Sequence, residues 1–89
     1  MSLRKSHAPT PFGTMVCVGV PSADDAPEVA RRLVSEGVEL IELCGGFGGA
    51  GLAAVVAAVG GRVPVGAVFY GVDASAGLQR LFGGAPTRS

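Results

Sequence analysis

The apolar positions of this chain fall into three short runs with two helical stretches between them. "TMVCVGV" (14–20) is a continuous, valine-rich run, the pattern of a strand buried on both faces. Pro21 ends it, and "SADDAPEVARRLVSEG" follows as the first predicted helix. Ser22 or Asp25 can cap that helix, and Asp25 with Glu28 has the capping-box spacing. Pro27 fits only near a first turn, which favours the later start. Val29 with Leu33 and Ala30 with Val34 make the apolar stripe, while Glu28, Arg31, Arg32 and Glu36 face water. Gly37 suits the position just past the helix end. "VELIELC" (38–44) is the second predicted strand; its alternation puts Val38, Leu40, Glu42 and Cys44 on one face and Glu39, Ile41 and Leu43 on the other. "GLAAVVAAVGG" predicts a helix from about Ala50 to Val59, stopped by Gly60 and Gly61. "VPVGAVFY" (63–70) is the third strand, with Pro64 at its start or on an edge. "DASAGLQRLFGG" adds a short helix with Leu78, Leu81 and Phe82 apolar.

Strand, helix, strand, helix, strand with short connections is a βαβαβ unit. The fold class expected is α/β: a small domain at 14–83 with a three-stranded parallel sheet and helices packed on its faces. Residues 1–13, which include His7, lack periodicity and read as a loose arm; residues 84–89 read as a frayed tail.

Composition sharpens this picture at one place. The 89 residues are 48% hydrophobic and only 16% charged, so the chain is short of polar surface to cover itself. No charged residue occurs between Glu42 and Arg62, and the second helix in that gap holds only Gly, Leu, Ala and Val. A helix apolar all round asks for burial all round, which two or three helices on a small sheet do not supply. The expectation is a homo-oligomer held through that helix. The formal net charge is zero and the basic residues are scattered, which argues against nucleic acid as a partner. No apolar run is long and glycine-free enough for a membrane-spanning helix. With no secretory signal and only Cys17 and Cys44, a cytoplasmic protein with reduced thiols is expected.

The candidate chemistry sits in "IELCGGFGGAG" (41–51). "GFGGAG" matches G-x-G-x-x-G, follows a predicted strand and opens a predicted helix, and Asp73 lies about 20 residues on. Three readings stay open. The loop amides of Gly45, Gly46, Gly48 and Gly49, with Phe47, Tyr70 and Asp73 nearby, bind a small anion or phosphorylated metabolite. They bind a dinucleotide, a weaker reading because such a site uses two mononucleotide-binding halves. Or the glycines only let a strand and an alanine-rich helix pack closely. Glu42 is an unusual carboxylate in an apolar strand, and Cys44 precedes a helix N-terminal region where thiolates are stabilised; these two are the catalytic candidates if the protein is a small enzyme. The third class is a structural oligomeric module without a ligand. No metal site and no resident cofactor are expected.

With "VGVP", "LVSEGVELIELCGGFG" and "VGGRVPVG" on the page, the chain resembles a family of small, mostly bacterial proteins of unknown function with a V-x-L-I-E-L-C-G-G-F-G core. The resemblance covers about 18–66. It implies no activity, cofactor or site residue. It does imply an N-terminal segment with a strand-like run and an acidic residue after the glycine loop. Here a short arm and Gly49–Ala50 stand instead. A fold-level likeness to barrel-type phosphate-binding enzymes, with glycine-rich loops after their strands, is analogy only.

Overall fold

The computed structural model describes residues 3–83. The tail expected at 84–89 and the first two residues of the arm lie outside them. The described residues are mixed α/β, with four short strands in two two-stranded sheets and three helices. The three-stranded parallel sheet is not formed. β1 (Arg4–Thr10) and β2 (Gly13–Gly19) make an antiparallel hairpin, and β3 (Ile41–Leu43) and β4 (Val65–Ala67) make a parallel pair.

The hairpin corrects the reading of residues 4–10 as a loose arm. Its turn is written in "TPFG". Pro11 supplies the φ that the first turn residue needs, and the Phe12 N–H donates to Thr10 Oγ1 at 3.2 Å. The Thr10 hydroxyl in turn donates to the Gly13 carbonyl at 2.7 Å, and Gly13 takes φ 135°, outside the range of most side-chain-bearing residues. Pro9 lies in β1, where a missing N–H is tolerated because β1 is an edge. β2 spends its ladder bonds on β1 and forms no ladder with β3. The expected third strand is therefore missing from the parallel sheet, and β2 has β1 as its one ladder partner.

α1 (Ala26–Ser35) is preceded by a 3₁₀ turn over Ala23–Asp25. The Asp24 N–H donates to Ser22 Oγ at 3.2 Å, so Ser22 caps this turn. Asp25 precedes α1 without a side-chain cap, and Glu28 pairs with Arg31 at 3.1 Å instead of closing a capping box. At the other end, the Gly37 N–H donates to the Val34 carbonyl and the Val38 N–H to the Leu33 carbonyl, with Gly37 at φ 103°. That is a Schellman ending, and it turns Val38 back onto the core.

α2 (Gly48–Val59) starts two residues earlier than its apolar run suggests and stops at Gly60, in the left-handed conformation. Arg62 closes its C-terminus: Nε donates to the Val59 carbonyl at 2.8 Å and Nη2 to the Ala58 carbonyl at 3.4 Å. A cation there also suits the negative end of the helix dipole. Arg62→Ala should therefore cost about 1 kcal/mol, read as a lower urea midpoint at unchanged slope.

The core is small. Ala26 and Ala30 of α1, Val55 and Val59 of α2, and Ile41 and Leu43 of β3 form one buried cluster, with Val34, Val38, Phe47, Leu52, Val63, Val65 and Ala67 packed around it. Both helices thus cover the same face of the β3–β4 sheet. From Leu40 to Cys44 the alternation in "VELIELC" separates the two faces as expected. Val38 packs on the core and Glu39 is exposed, against the expected alternation, because the strand spans only Ile41–Leu43. Only one face is covered. Leu40 is 57% exposed, and Glu42 and Cys44 stand in solvent. α3 (Ser75–Phe82) does not cover that face either: it buries no residue, and Leu81 and Phe82 are exposed. The molecule therefore has two layers where a doubly covered parallel sheet would have three. On α2 the outward positions are Ala53, Ala54, Val56 and Ala57, an alanine surface with one valine in it. Among the described residues no helix is long and apolar enough to cross a membrane.

Candidate functional site

The glycine loop leaves β3 through Cys44 and passes a 3₁₀ turn, Gly45–Phe47, closed by the Phe47 N–H on the Cys44 carbonyl at 3.2 Å. It enters α2 at Gly48, whose φ of 68° favours glycine. Two other glycines are fixed by close approach. A β-carbon at Gly45 would lie 2.9 Å from Tyr70 Cε2, because the Tyr70 ring packs on the Gly45 backbone. A β-carbon at Gly51 would lie 2.9 Å from Phe47 Cβ, because Phe47 folds over the first turn of α2. Gly49 faces open space. Three of the loop's glycines thus have packing or backbone reasons, as the purely structural reading of the motif requires.

The same loop forms one wall of a shallow depression of about 240 Å³. Cys44, Gly46 and Phe47 line it from the loop side, and Val20, Pro21, Ser22 and Ala23 line it from the β2–α1 connection. Each wall leads through a 3₁₀ turn toward a helix, the β2–α1 connection toward α1 and the glycine loop toward α2, while the helices themselves contribute no lining residue. Their electrostatics differ. Asp24, Asp25 and Glu28 sit at the start of α1 and offset its positive end, whereas the first turn of α2 holds no acidic residue. No charged side chain lines the depression.

Of the residues singled out in the sequence, Cys44, Gly46 and Phe47 come together here, and Gly45 meets Tyr70. Asp73 lies in a 3₁₀ turn over Val72–Ala74, with its carboxylate against Gly71. It is not part of the depression's lining, nor are Tyr70 and Glu42. The unusual carboxylate in the apolar strand, Glu42, does not face the core: it is exposed on the uncovered face of β3, beside Gly66. Cys44 is also exposed, and His7 is an exposed residue of β1. The described residues hold no group of three or more His, Cys, Asp or Glu able to bind a metal. Val20–Ala23 is the wall that motif reading misses. Its only sequence signal is the strand–Pro–Ser pattern of "VGVPS", which marks a chain leaving a strand for a helix, as the glycine loop also does.

Residues 2–83 match the model of a family of unknown function, DUF6506, and the chain belongs to that family. The resemblance carried by the LCGGFG core is borne out. It widens from the middle of the chain to nearly all of it, the hairpin included. No curated protein matches the chain, and no solved structure does.

Proposed function

For this member of a family without an assigned activity, we propose a small-ligand-binding role, in which the depression between the α1 and α2 entries takes a small anion such as the phosphate of a metabolite, in a homo-oligomer. The observation that carries the reading is a concave site walled by the glycine loop that leads into α2, a helix with no acidic residue in its first turn. The first amides of a helix have no partner within it, and an anion supplies one. Size decides between ligands. About 240 Å³ is below the usual span of sites for drug-sized molecules and far below what a dinucleotide fills. With Asp73 outside the lining as well, the dinucleotide reading falls behind the single anion.

An enzyme using Glu42 or Cys44 is less favoured, because Glu42 keeps its water outside the depression and Cys44 lines it without a charged or imidazole side chain beside it to activate the thiol. A structural oligomeric module remains the second reading, favoured by the uncovered sheet face with Leu40 and Val68 exposed on it. Thermal melts separate the two. Millimolar phosphate, sulfate or pyrophosphate should raise the melting temperature by several degrees over chloride at matched ionic strength, by linkage to the native state. Identical melts in all four salts would remove the anion and leave the module.

A further inference from the structure

We propose that the β1–β2 hairpin of one copy docks on the uncovered face of the β3–β4 sheet of a second copy, the two chains exchanging hairpins reciprocally. The proposal rests on the homo-oligomer part of the function proposed above and names its surfaces. A two-stranded hairpin alone is marginal in water. Here its tie to the body includes one ion pair, Lys5 Nζ to Glu36 Oε1 at 3.5 Å, between two partly exposed side chains. The ladder pairs Arg4 with Gly19, Ser6 with Cys17 and Ala8 with Met15, so these residues share one face; Lys5, Val16 and Val18 share the other. The Lys5 contact with Glu36, the residue just past α1, turns the second face toward the body and leaves the Arg4–Cys17–Met15 face outward. At the hairpin's tip Phe12 is 100% exposed.

The sheet face offers the complement. Glu42 of β3 lies between Leu40 and Cys44, which flank the strand, with Gly66 of β4 beside it and Val68 just past the end of β4. Apolar Met15 and Phe12 have Leu40 and Val68 to meet. Charge selects the partner. Residues 3–23 carry Arg4, Lys5 and His7 and no acid; residues 33–61 carry Glu36, Glu39 and Glu42 and no cation. Among the described residues the ion pairs are Lys5–Glu36 and Arg31–Glu28, and neither includes Arg4, Glu39 or Glu42. Two bare sheets stacked face to face would set Glu42 against Glu42, whereas a hairpin on the sheet brings Arg4 to the acids. Reciprocal exchange closes under twofold symmetry and leaves neither bare face over.

The test is a charge swap on the full chain, read by sedimentation equilibrium, with circular dichroism to check folding. Arg4→Glu and Glu42→Arg should each weaken the dimer about tenfold, and the double variant should recover most of that loss. Both residues are exposed in the single chain, so neither change strains its core. Maleimide labelling gives a second readout on the unaltered protein: Cys17 and Cys44 should both become slower to label as protein concentration rises through the dimer's Kd. A wild-type chain that stays monomeric overturns the docking and the homo-oligomer together. A dimer that ignores both charge reversals, or leaves both thiols open, overturns the docking alone. If Val56→Glu dissociates that dimer, the contact belongs to α2.

Discussion

Val55→Glu should give a chain with no cooperative thermal transition, while Val56→Glu, one residue on, should melt cooperatively close to the wild-type temperature. Val55 is 0% exposed and sits in the middle of the cluster that joins α1, α2 and β3, whereas Val56 is 47% exposed on the outward side of α2. A carboxylate at position 55 would lie among Ala30, Ile41, Leu43 and Val59, with no polar group of that cluster to meet it. An unpaired charge in such a place costs several kcal/mol. A chain of this length has of the order of 5 kcal/mol in total, so the substitution removes the fold. At position 56 the new carboxylate reaches water at once, and the expected change in stability stays within about 0.5 kcal/mol. The pair also tests the α2 contact expected from the sequence. A folded Val56→Glu chain that no longer self-associates would locate the interface on the alanine surface. Far-UV circular dichroism on heating and sedimentation at micromolar concentration read the two halves of the prediction.

This contrast shows where the sequence is legible. The i, i+4 stripe of α1 and its Gly37 ending follow from local chemistry, and both appear. The two faces of β3 follow over Leu40–Cys44, because alternation is a local property, and fail at Val38 and Glu39, where the Gly37 turn sets the direction instead. Whether the second face is covered is not local. It depends on how many strands and helices reach the sheet, and β2 pairs with β1 instead. Glu42 stands in an apolar strand pattern yet meets water, because no helix packs over its face. "RKSHAPT" has neither alternation nor β-branched enrichment, and it is a strand through its partner and the "TPFG" turn rather than its own propensity. The candidate site divides in the same way. The glycine loop is visible as a motif, but its opposite wall, Val20–Ala23, is more than 20 residues away in sequence and is brought there by packing.

The glycine loop's own chemistry is best tested by two alanine substitutions with opposite expected signs. Both Gly49 and Gly51 lie in α2, where alanine is intrinsically better than glycine by up to about 1 kcal/mol. Gly49 has nothing within 4 Å of its would-be β-carbon and no unusual φ, so Gly49→Ala should raise stability by about 0.5 kcal/mol at this first-turn position. At Gly51 the added methyl would stand 2.9 Å from Phe47 Cβ. That atom is fixed to the backbone of the 3₁₀ turn and cannot rotate away as the far end of a side chain would. The loop has to shift, and overpacking of this kind costs about 1–3 kcal/mol, which outweighs the propensity gain. Gly51→Ala should thus lower stability by about 1–2 kcal/mol, a fall in melting temperature of several degrees for a domain of this size. Because Phe47 also lines the depression, the same shift should weaken any stabilisation by phosphate, while Gly49→Ala keeps it. Equal and opposite melting shifts with phosphate retained in both variants would mean that Phe47 packs the loop but does not shape the site. A Gly51→Ala protein more stable than wild type would mean that the Phe47 contact does not hold the loop at all.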